Sequence, residues 1–131
     1  RHVPVGIVSS RSRRGISDLL DHFNLADSVA VVVAVDDVER SKPHPEPILA
    51  ALSSLRLGVA GVAMVGDTPL DIAAARAAGV LAVGVATGIY DENQLREAGA
   101  DLLVRNLSVL GSRLGLKTHH ERGLAPVDNS I

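Results

Sequence analysis

Along this chain, short unbroken apolar runs alternate with helical stripes. "VPVGIV" (3–8) and "VAVVVAV" (29–35) are continuous and rich in β-branched residues, as expected of strands buried on both faces. "GVAMVG" (61–66), "VLAVGVA" (80–86) and a short "DLLV" (101–104) extend the series to five. Between them, "GISDLLDHFNL" (15–25) sets Ile16, Leu19, Leu20 and Phe23 at i, i+3, i+4 and i+7. That is the stripe of an amphipathic helix. "EPILAALSSLRL" (46–57) repeats it through Ile48, Ala51, Leu52 and Leu55. Further helices are predicted over 69–78, closed by Gly79, over 92–100, and weakly around 107–114. From Lys117 onward the pattern turns polar and aperiodic, so 1–116 reads as one core and 117–131 as a loose tail. Strands alternating with helices predict an α/β fold, a Rossmann-like three-layer α/β/α arrangement around a parallel sheet.

Composition narrows the functional classes. The 131 residues are 47% apolar but only 2% aromatic, so the core must be Val, Leu, Ile and Ala. The net charge of −2 comes without a basic block, which argues against a nucleic-acid surface. There is no cysteine, hence no disulfide and no thiolate metal site, as expected of a cytoplasmic protein. No apolar run approaches the ~20 residues of a membrane span, and no signal peptide is visible. The first residue is Arg and an apolar run follows almost at once, which suggests a start inside a longer reading frame.

In parallel sheets covered by helices, ligands bind beyond the carboxyl ends of the strands. Ser9, Ser10, Asp36, Asp37, Asp67 and Thr87 all follow apolar runs and are expected along that edge. In "MVGDTPLDIAAARAAG" (64–79), Pro69 suits the first helical position, Thr68 the N-cap and Asp71 the third residue of a capping box. Asp71 is therefore either a cap or a metal-site acid. Asp67 stands before the cap at a strand end, where a hard cation such as Mg²⁺ would take its carboxylate. In "GIVSSRS" (6–12), Ser9 and Ser10 offer hydroxyls to a phosphate, or Ser9, Ser10 or Ser12 caps the next helix. In "RSKPHPEPI" (40–48), prolines at 43, 45 and 47 stiffen the loop holding Lys42, whose ammonium can offset phosphoryl charge. His44 reads as a surface residue rather than a ligand, and the pair at 119–120 is a weak metal signal.

The order of these pieces resembles the haloacid dehalogenase-like hydrolases. The branch it looks most like is that of the phosphoglycolate phosphatases. "KPHPEPI", "MVGDTPLDIAAARAAG" and "LREAGADLLVRNLSVL" carry the likeness, which covers roughly residues 3 to 112. The resemblance implies a magnesium-dependent hydrolase of small phosphorylated metabolites. In it Ser9 (with Ser10 beside it) binds phosphate, and Lys42 bridges nucleophile and phosphoryl oxygens. Asp67 ligates Mg²⁺, and Asp71 orders the metal's surroundings.

The family works through an aspartyl-phosphate. The D-x-D-x-T segment that supplies its nucleophile and general acid is absent from this sequence. "VDDVE" at 35–39 has the wrong spacing. The chain alone is thus expected to be nearly inactive, with the cap domain and the D-x-D-x-T strand upstream. That strand lies mid-sheet in the family, so its absence implies either a slot ~10 Å wide or a re-paired sheet. Direct pairing of the flanking strands, oligomerisation or marginal stability would follow. Two other classes stay open: a non-catalytic phosphate- or metal-binding module, and a phospho-receiver. The receiver is disfavoured because its lysine should follow the acceptor aspartate, whereas Lys42 precedes Asp67.

Overall fold

A computed structural model describes residues 3–109. The elements in order are β1 (Gly6–Val8), α1 (Arg13–His22), β2 (Val31–Val33), α2 (Glu46–Leu55), β3 (Ala63–Gly66), α3 (Pro69–Ala78), β4 (Leu81–Val85), α4 (Glu92–Glu97) and β5 (Leu102–Val104). Short 3₁₀ turns cover Ala26–Ser28 and Val35–Asp37. All five expected strands and four expected helices are present. A helical stretch begins at 107–109; the rest of the weak helix expected there, and the tail from Lys117, lie outside the described residues. Among the described residues, no helix is long and apolar enough to cross a membrane.

Local chemistry explains most boundaries. Ser12 caps α1 by accepting from the Gly15 N–H at 3.1 Å, and Thr68 and Asp71 close the expected capping box on α3. Gly79 ends α3 at φ 82°, a left-handed position that glycine tolerates best. The second apolar run makes a shorter strand than its length suggests. Asp37 Oδ2 accepts from the Ala34 N–H at 2.8 Å, so Val35 turns out of the strand instead of extending it. Asp36 and Asp37 consequently sit in a 3₁₀ turn rather than at a strand end.

The expected single sheet is not continuous. The strands form two parallel sheets, β1–β2 and β3–β4–β5, and β1 and β3 are not paired with each other. Among the described residues the flanking strands are therefore not re-paired. The two sheets share one apolar layer. α2 packs on β1, β2 and α3, and α3 packs on β3 and β4. Ile48, Leu52, Ile72, Ala74, Ala75 and Leu95 form its buried centre, with Val8 and Met64 packed against it. On the opposite face, Val83, Val85 and Val104 make a smaller cluster joined by Val65 and Leu102.

The α1 stripe is narrower than its periodicity implies. Ile16 is buried, but Leu19 and Phe23 are 41% and 54% exposed. α1 packs mainly on the two short 3₁₀ turns, which offer little face to cover, so part of its apolar stripe meets water.

Candidate functional site

The carboxyl end of β1 and the start of α3 meet at one lysine. The Lys42 Nζ donates to the Asp71 carboxylate (Oδ1) at 2.5 Å and to the Val8 carbonyl, the last residue of β1, at 3.4 Å. The pair is buried, with side-chain exposures of 11% and 8%. The other Asp71 oxygen is held as well: Oδ2 accepts from the Thr68 N–H at 3.2 Å and hydroxyl at 3.0 Å. Asp71 is therefore helix cap and lysine partner at once, which joins the two roles left open by the sequence. An ammonium has three donors, and two of them are used here among the described residues.

The loop before α2 holds this lysine by more than its prolines. The Arg40 N–H donates to Glu46 Oε2 at 2.6 Å, and His44 Nδ1 accepts from the Glu46 N–H at 3.0 Å. His44 is thus a local cap on the lysine loop, half-buried rather than a plain surface residue. Gly66, at the end of β3, makes room for the acid. A Cβ added there would fall 2.3 Å from the Asp71 Cβ, so glycine lets the helix start press against the strand.

Ser9 follows Val8 directly and so stands next to the lysine's carbonyl partner. Its N–H donates to Val33 O at 3.0 Å, and its hydroxyl oxygen accepts from the Arg11 N–H at 3.1 Å. Ser12, not Ser9, caps α1. Ser10 is exposed. The turn carrying these serines is tied to the end of β2. Val35 N–H donates to Arg11 O at 3.0 Å. The Arg13 Nη2 donates to Val32 O at 3.0 Å and Asp37 Oδ2 at 2.5 Å, and its Nε to Asp37 Oδ1 at 3.2 Å. Hydrogen bonds from Arg13, then from the Ala34 N–H, hold the Asp37 carboxyl below its usual range, and the same contact raises Arg13. The sequence reading left Arg13 aside; its only signal was a basic side chain in the first turn after the serine loop.

Asp67 is exposed at the end of β3, one residue before the cap. Its Oδ2 faces the turn after β4, where a Cβ added at Gly88 would lie 3.4 Å away. Among the described residues no cluster of three or more His, Cys, Asp or Glu is placed to hold a metal. One free carboxylate still fits a Mg²⁺ site, because that ion commonly takes one or two carboxylates and keeps several waters. Asp71 is committed to Lys42 and Thr68 and is buried, whereas Asp67 is the exposed carboxylate. The structure thus gathers Ser9, Lys42 and Asp71 at the slot mouth, with Asp67 at the adjoining strand end. Asp36 and Asp37 belong to the Arg13 clamp instead.

The chain as a whole has known counterparts. A family model for haloacid dehalogenase-like hydrolases matches residues 1–85. The chain belongs to that family. It is 32% identical over 115 residues to a phosphoglycolate phosphatase of Photorhabdus laumondii subsp. laumondii, covering 88% of this chain and 49% of that protein. It is 34% identical over 116 residues to the phosphoglycolate phosphatase of Escherichia coli K12, covering 87% and 45%. A haloacid dehalogenase superfamily hydrolase from Geobacter sulfurreducens superposes with a TM-score of 0.66 at 28% identity, covering 79% of this chain and 48% of that one. The chain spans about half the length of the curated relatives it matches.

Proposed function

We propose that this hydrolase-family chain supplies the phosphate- and metal-holding side of a magnesium-dependent phosphatase for a small phosphorylated metabolite, akin to phosphoglycolate. The buried Lys42–Asp71 pair is the observation that carries this reading. It fixes an ammonium where β1 ends and α3 begins, beside Ser9 and within one helical turn of Asp67. In the proposed reaction a carboxylate oxygen attacks phosphorus. The ester oxygen leaves with a proton from a general acid, and water then cleaves the acyl phosphate. This chain's residues hold the phosphoryl oxygens: Ser9 by its hydroxyl, Lys42 by its remaining N–H, with Ser10 at the edge. Mg²⁺, when bound at Asp67, neutralises charge on those oxygens. Asp71 acts through Lys42, which it orients.

The attacking carboxylate and the acid would come from a D-x-D-x-T segment, and the 131 residues contain none. Because of that, the chain assayed alone with p-nitrophenyl phosphate and Mg²⁺ should show almost no turnover. It should still bind inorganic phosphate with Mg²⁺ by calorimetry, about tenfold more weakly or worse after Lys42→Met. Appreciable turnover that Ser9→Ala abolishes and Asp67→Asn leaves intact would overturn the mechanism. A second reading is a phosphate-binding module without catalysis, which the same titration supports if adding a D-x-D-x-T peptide never restores hydrolysis. Stable labelling of Asp67 by acetyl phosphate would point to the receiver instead.

A further inference from the structure

The turn that follows β1 is fastened in three ways to the turn that follows β2. The Val35 N–H donates to Arg11 O at 3.0 Å. The Arg13 N–H donates to Asp36 Oδ2 at 3.4 Å, and the Arg13 guanidinium grips both oxygens of Asp37 together with Val32 O. Asp37 also shapes its own turn. Its Oδ2 accepts from the Ala34 N–H at 2.8 Å, and its N–H donates to Ala34 O at 3.1 Å. The helix braced in this way, α1, has no acid of its own in the first turn, where the dipole favours one. Asp36 and Asp37 bring that charge from the neighbouring turn.

These ties converge on Ser9. Arg11, pinned through its carbonyl to Val35, donates its N–H to Ser9 Oγ at 3.1 Å. A serine hydroxyl carries one proton and two lone pairs. With a lone pair given to Arg11, the proton is turned away from that N–H, and the group presents itself as a donor. Ser9 is half-buried and its own N–H is held by Val33 O. The aim of its hydroxyl therefore depends on where Arg11 sits, and Arg11 sits where the clamp puts it. An ion pair as exposed as this one, 54% and 30%, contributes little to stability. What the two-pronged contact of guanidinium and carboxylate does fix is an orientation.

We propose that Arg13 and Asp37 are positioning residues for Ser9: through the 34–37 turn and the Arg11 peptide they hold its hydroxyl as a hydrogen-bond donor to a phosphoryl oxygen. In this arrangement neither residue touches the phosphoryl group, and both act through Ser9. What Ser9 meets rests on the function proposed above, whereas how Ser9 is held rests on these hydrogen bonds alone.

The test uses the full 131-residue chain and Arg13→Gln, which removes the fork from an exposed site. Amide hydrogen exchange at Arg11 and Val35 should quicken by about fivefold or more, with rates in α2 and β4 unchanged. Calorimetry of inorganic phosphate with Mg²⁺ should give an affinity about fivefold weaker, the worth of one hydrogen bond. In a Ser9→Ala background the same substitution should weaken phosphate no further. Unchanged exchange at Arg11 and Val35 would overturn the inference, as would quickened exchange throughout the molecule, which marks a merely structural pair. A phosphate penalty that persists without the Ser9 hydroxyl would also overturn it, because Arg13 would then meet the anion itself. A wild-type chain that takes up no phosphate, with Arg11 still released by Arg13→Gln, would sink the function proposed above and leave the clamp's hold on Ser9 standing.

Discussion

Asp71 shows how much one side chain can be asked to do. It caps α3 through Thr68 and neutralises Lys42 in a nearly closed site. Removing the cap alone and removing the charge should therefore differ. Thr68→Ala should lower stability by about 1 kcal/mol. Asp71→Asn leaves a buried ammonium without its counter-charge and should cost about 3 kcal/mol, read as a larger fall in urea midpoint at unchanged slope. Asp37 tests the opposite regime, an exposed pair. Its carboxyl is held below the usual value by Arg13, so its stabilising contribution is present above the unfolded-state value near 3.8 and is lost as pH falls through the folded one. Asp37→Asn should flatten that part of the acid limb in urea melts taken below pH 5, while leaving the limb's neutral plateau lower. An Asp37→Asn protein with an unchanged acid limb would remove the clamp from the account.

At the scale of elements, the sheet end and helix start on either side of Asp67 are fitted to each other. Gly66 permits α3 to begin in contact with β3, since any Cβ there overlaps Asp71. Gly66→Ala should push the helix start outward, cost about 1–3 kcal/mol and weaken phosphate binding with it, because Lys42 follows Asp71. Calorimetry of phosphate with this variant, set beside its urea midpoint, checks both. The elements were legible from periodicity because five apolar runs and four stripes reflect burial on a covered sheet. Their ends were less so. β2 stops at Val33 through a side-chain bond from Asp37 to the Ala34 N–H, a local competition that the run "VAVVVAV" does not reveal.

For the whole molecule, two sheets without a shared ladder must be joined by the α2–α3 layer and by Lys42. Ile72 lies fully buried in that layer, packed in one cluster with Ile48, Leu52 and Val8. Ile72→Ala should cost about 2–5 kcal/mol and speed hydrogen exchange in β1–β2 as well as in β3–β4–β5. Loss confined to β3–β4–β5 would mean that the halves unfold independently.

The sequence by itself determined the fold class, the order of strands and helices, and the residue types at the sheet's carboxyl edge. Those follow from apolar period, caps and prolines, which act over a few neighbours. It also placed Ser9, Lys42 and Asp67 in loops, and Asp71 in the first turn of a helix, where chemistry is possible. Only the tertiary structure decided that Asp71 belongs to Lys42, that His44 and Glu46 brace the loop, that Arg13 ties Asp37, and that β1 and β3 stand apart. Each of these depends on groups far apart in the chain meeting in a closed layer, where a buried charge must find its partner and an edge strand either finds a neighbour or remains open.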